Sequence, residues 1–124
     1  MLQAAIAACH ARARTADETD WRQIAALYHA LAALTPSPVV ELNRAVAVAM
    51  ADGPEPALKI VDGLAAGPEL SGYHHLPSVR GDLLAKLGRY AEAAGEFRRA
   101  AALTRNIPER TVLLQRASEC ARRA

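Results

Sequence analysis

Two neighbouring imidazoles, His74 and His75, follow Tyr73 in the string ELSGYHHLP, and such a pair raises metal ligation or proton transfer as possible chemistry. A protein metal site needs three or more ligands converging on one point. Adjacent residues of an extended chain point to opposite sides, and no third ligand stands at a suitable spacing from this pair, so no metal is expected here. His10 and His29 belong to other segments. Nucleophilic catalysis has as little support: Ser37, Ser71, Ser78 and Ser118 lack a GxSxG setting, the strained turn that exposes such a nucleophile. There is no glycine-rich phosphate loop. Cys9 and Cys120 form no CxxC or Cys/His pattern and read as buried free thiols of a reducing compartment. The expectation is a chain that is not an enzyme, needs no cofactor, and works through surfaces. Tyr73, His74 and His75 remain candidate partner contacts, because they end the longest segment without helical period and include an aromatic ring.

A second group, Glu41, Asn43 and Arg44, lies within PVVELNRAVAVAMA, a segment apolar nearly all the way round. Such a helix is expected to be buried on most sides and central to its stack. The polar three then bond neighbouring backbone, hold one another, or face a groove that receives a partner. Glu41 and Arg44 are i,i+3 neighbours. Structural support is the default, since buried polar groups normally find partners within the protein; all three are kept as candidate contacts. A clamp for a peptide carboxylate finds only Asn43 and Lys86 of suitable type.

What must position these groups is helical. The chain has 124 residues, 52% of them hydrophobic but only 4% aromatic, with much alanine. Alanine favours helix and lets helices approach closely. A net charge of +2, with acidic and basic residues interspersed, gives no argument for nucleic-acid binding. The basic tail (Arg116, Arg122, Arg123) suits the negative end of a helix. No basic n-region precedes the first apolar residues and no 18-residue apolar run occurs, so neither a signal peptide nor a membrane span is expected. The chain reads as cytoplasmic.

Breakers divide the sequence into about seven helices. The first covers roughly residues 2–14, with Leu2, Ile6, Cys9 and Ala13 on one stripe. Asp20 caps the second, which ends near Leu34. Ser37 and Pro38 open the third, which stops at Asp52-Gly53. The fourth runs from Pro54 to about Ala66, the fifth ends at Gly88, and the sixth spans about 89–103. Asn106 caps the last, with Pro108 in its first turn. Trp21, Ile24, Tyr28, Leu31 and Leu34 recur 69 residues later as Tyr90, Ala93, Phe97, Ala100 and Leu103, while Gly53 and Gly88 lie 35 apart. That is two units of 34 or 35 residues, the period of tetratricopeptide hairpins. In LGRYAEAAGEFRRAAALT, Gly88 is the tight turn, Tyr90 the anchor of the second helix, and Phe97 the filler toward the next unit. Gly81 marks a close helix crossing. The expected fold is all-α: antiparallel hairpins (1–35, 38–66 and 73–104) stacked as a short tetratricopeptide-like superhelix in one domain, 1–124, with a capping helix at 106–123.

Three strings, TDWRQIAALYHALAALTPSPVVELNRAVAVAMADGP, YHHLPSVRGDLLAKLGRYAEAAGEFRRAAALT and NIPERTVLLQRA, together resemble the C-terminal extension of a group of extracytoplasmic-function RNA polymerase sigma factors. The resemblance covers nearly the whole chain, and SPVVELNRAVAVA is its most specific motif. In that group a helical, tetratricopeptide-like domain follows the promoter-recognition regions, and nothing in this sequence resembles those regions. The resemblance implies a regulatory role in transcription initiation, through the sigma regions of the same factor, through RNA polymerase, or through a cytoplasmic signalling protein, with no direct nucleic-acid or membrane contact by this segment. It places Glu41, Asn43, Arg44, Tyr73 and His74 at motif positions. Two alternatives stand beside it: a free-standing tetratricopeptide adaptor for peptide segments, and a small-ligand-sensing or hydrolytic domain using the Tyr73–His75 loop.

Overall fold

The computed structural model describes residues 5–6 and 20–124. Six helices fill the second of these ranges: α1 Trp21–Leu34, α2 Pro38–Asp52, α3 Pro54–Ala66, α4 His75–Lys86, α5 Tyr90–Leu103 and α6 Ile107–Arg123. No strand occurs among the described residues, and the fold is all-α. Residues 5–6 are helical; the rest of the helix expected over 2–14, with Cys9 and His10, lies outside the described residues. Contacts divide the chain into two compact units, Met1–Ile60 and Val61–Ala124, and α3 runs across the division.

In the first unit the Asp20 carboxylate accepts the Gln23 backbone N–H at 3.0 Å and starts α1. A cap of this kind stabilises a helix by about 1 kcal/mol. Ser37 holds the expected capping position, but its side chain makes no capping hydrogen bond. Pro38 opens α2 instead: it forces the preceding residue into the extended region, where Ser37 lies at φ −153°, and fixes its own φ for the first turn. The core of the unit is Ile6, Ile24 and Ala47, with Trp21, Ala25, Leu27 and Tyr28 packed around it.

The expectation that α2 is buried on most sides is corrected. Leu42, Ala45 and Ala47 are buried, but Val39, Val46 and Met50 are 39%, 39% and 46% exposed. With exposed Asn43 they form a stripe at i, i+4, i+7 and i+11, one face of a helix. An outward apolar stripe has the same composition as an inward one, so residue types alone did not separate them.

The second unit shows why its residues are ordered as they are. At the end of α4 the Gly88 N–H reaches the Ala85 carbonyl at 3.0 Å, and the Arg89 N–H reaches Leu84 at 2.9 Å. This pairing closes a helix through a left-handed residue, and Gly88 has φ +78°. α5 then packs on α4 and on α6. Phe97 is fully buried. Its ring lies so near Gly81 of α4 that a Cβ there would sit 3.0–3.1 Å from three ring carbons. On the α6 side the Arg116 guanidinium stands 4.4 Å from the ring centroid, a cation–π contact. Ala93, Ala94, Ala100 and Ala101 are buried beside it, as close helix approach requires. Tyr90 is only half-buried, so it is a weaker anchor than its spacing implied; Arg123 crosses its ring at 5.7 Å.

The corner from α5 to α6 is fixed by polar groups. Asn106 accepts the Glu109 N–H at 2.9 Å and donates its own N–H to Thr104 Oγ1 at 3.2 Å. Arg110 donates to the Ala101 and Thr104 carbonyls at 3.2 and 2.8 Å, satisfying the last turn of α5. Among the described residues, no helix is long and apolar enough to cross a membrane.

Candidate functional site

The histidine pair is not extended. Residues 67–74 are mostly bends and turns, and His74 sits at φ −61°, ψ −24°, with His75 the first residue of α4. In helical backbone successive side chains diverge by about 100° rather than 180°, so the premise that the two rings point apart is corrected. Their centroids are 4.1 Å apart at 37°, and the Tyr73 ring meets His75 edge-on at 5.1 Å. The expectation that no third ligand joins them is likewise corrected. Glu109, in the first turn of α6, brings Oε1 to 2.6 Å from His74 Nε2. Nε2 is buried, and this ion-pair contact is not a hydrogen bond. One ligand atom from each of His74, His75 and Glu109 lies within 4.8 Å of the others.

The α2 group resolves differently. Arg44 Nε and Nη2 donate to Glu41 Oε1 and Oε2 at 3.1 and 3.0 Å, a two-pronged pair that is half-buried. These two hold each other, one of the arrangements their spacing allowed. Asn43 is exposed within the stripe of Val39, Val46 and Met50. The six candidate contacts therefore fall into two places, three on α2 and three at the start of α4.

Sequence reasoning missed the charged seam of the second unit. Asp82 of α4 accepts from Arg116 of α6 at 2.7 Å and pairs with Lys86 at 3.1 Å. Burial pushes the Asp82 carboxyl upward, but hydrogen bonds from Arg116 and Lys86 outweigh it and hold the group below its ordinary value of 3.8. Lys86, considered above as a carboxylate clamp, is thus engaged by a neighbour on its own helix. A cleft of about 230 Å³ opens beside this seam, lined in part by Tyr90, Cys120 and Arg123. Cys120 is a buried free thiol, as expected. Farther along α4, Arg80 reaches Asp62 at 2.9 Å and the buried Glu96 at 3.3 Å. Burial lowers the Arg80 pKa, but the Asp62 hydrogen bond and the Glu96 charge more than compensate, so the guanidinium stays protonated. Asp82 and Arg116 are 34 residues apart, as are His75 and Glu109. The repeat period itself was the signal that could have found both pairs, because equivalent positions of successive repeats stack.

No protein-family profile and no solved structure matches the chain. A protein of Rhizobium meliloti (strain 1021), described as uncharacterized, is 55% identical over 108 residues. That alignment takes in 87% of this chain and 25% of the relative, so the chain spans about a quarter of the length of the curated relative it matches.

Proposed function

We propose that this chain is a non-catalytic, all-helical interaction domain of an extracytoplasmic-function sigma factor, acting in the cytoplasm to tune transcription initiation through contact with the sigma regions of the same factor. The observation that carries this reading is a coincidence on α2. The string that resembles that group most specifically, SPVVELNRAVAVA, contributes Val39, Asn43 and Val46 to the exposed stripe that Met50 extends. Apolar side chains gathered on one exposed face mark interaction surfaces. The Glu41–Arg44 pair beside the stripe gives it a polar rim, as interfaces commonly have. A relative roughly three and a half times as long leaves room for the regions such a domain serves.

The test mixes the purified chain with the sigma regions of its own factor and follows binding by calorimetry. Val46→Asp with Met50→Asp should weaken the complex at least tenfold while helix content holds, because both side chains are already partly exposed. In the full-length factor, deleting the segment should change output from the target promoter. Unaltered transcription together with no measurable complex would reject the proposal.

A further inference from the structure

We propose that His74, His75 and Glu109 form a binding site for a divalent transition-metal ion of the zinc class. Two imidazole nitrogens and one carboxylate oxygen suit zinc, cobalt, nickel or copper, whereas magnesium and calcium prefer oxygen ligands throughout. Bonds of about 2.0–2.2 Å place the ligand atoms of a tetrahedral site roughly 3.3 Å apart. The three atoms here lie within 4.8 Å of one another. His75 is exposed and Glu109 half-exposed, so both side chains have freedom to close on an ion.

The second observation is the buried His74 Nε2, which has no hydrogen bond although a carboxylate oxygen stands 2.6 Å away. A buried nitrogen without a hydrogen bond is unfavourable unless another partner takes its lone pair. The contact between His74 and Glu109 accounts for the carboxylate, but it gives no reason for a second imidazole 4.1 Å from the first. A shared cation accounts for all three groups. Neighbouring groups keep the ligands close without fixing their side chains: the Tyr73 ring lies edge-on to His75, and the Asn106 side chain fixes the backbone of Glu109. The ion would join the start of α4 to the start of α6, and its fourth position would remain open to water or a partner group.

The test titrates the 124-residue chain with Zn²⁺ in competition with a chromophoric chelator, and with Co²⁺ for its visible spectrum. One ion per chain is expected, with the strong visible bands of a four-coordinate cobalt site. His75→Ala and Glu109→Gln should each weaken binding at least tenfold, and His29→Ala, an exposed histidine of α1, should leave it unchanged. Zn²⁺ should raise the Tm of the parent chain and not that of either variant. Absence of saturable uptake would overturn the proposal. So would uptake that survives both substitutions, or a six-coordinate cobalt spectrum.

Discussion

Helices α1 and α5 carry the same pattern 69 residues apart and bury it to different depths. In α1 the fully buried side chain is Ile24, while Tyr28 is only half-buried and Leu34 is 77% exposed. In α5 the equivalent of Tyr28 is Phe97, with no exposure, and the equivalent of Leu34, Leu103, is half-buried. The residue after each helix differs as well: Thr35 is exposed, whereas Thr104 is 2% exposed and accepts the Asn106 N–H. What separates them is the company each position keeps. Phe97 has a bare glycine on one side and a guanidinium on the other, so α4 and α6 close over it together. A shared pattern sets which face turns inward; the neighbouring helices decide how deep each position goes.

The largest test of this contrast is truncation of the two rings. Phe97→Ala should cost about 3–5 kcal/mol, as expected for a buried aromatic, whereas Tyr28→Ala should cost roughly 1–2 kcal/mol. Urea denaturation gives the totals, and amide hydrogen exchange locates them, in 61–124 for the first variant and 20–60 for the second. Equal losses would erase the distinction.

Gly81→Ala comes next. Helix propensity favours alanine by about 1 kcal/mol, but the new methyl would press on an enclosed ring, and overpacking costs about 1–3 kcal/mol. Net destabilisation is expected, and it should vanish or reverse when Phe97→Leu removes the ring edge. A double-mutant cycle by thermal melting reads that coupling.

The smallest effect concerns the Asp82 seam. This carboxylate is 34% exposed, so Asp82→Asn should cost only about 0.5–1 kcal/mol at neutral pH. Because the folded-state pKa lies below 3.8, the contribution is full above that value and is lost as pH falls through the lowered one. Stability curves of the parent chain and the variant should run parallel from pH 8 to 5 and converge in acid. Convergence on the alkaline side would refute the assignment.

Much of this architecture was legible in the sequence because local chemistry ends helices. Asp20, Pro38, Gly53, Gly88 and Asn106 each stand at a boundary of the structure. The depth of each ring was not legible, since it depends on residues in other helices that the spacing within one helix does not name. The histidine cluster was missed for a local reason: the run before α4 was read as extended, whereas His74 is already in helical backbone. The outward stripe of α2 was missed because valine and alanine look alike on either face.

The Arg116–Asp82 contact also gives the stack a reading direction. Acid on one helix meets base on the helix one period later. Were the segment containing Asp82 copied in tandem, the inserted acid would face its twin, and only the last copy would find the arginine. Growth of this array by duplication would therefore bring a charge conflict at every added seam, so the order of its hairpins is written into their ionic partners as well as their packing.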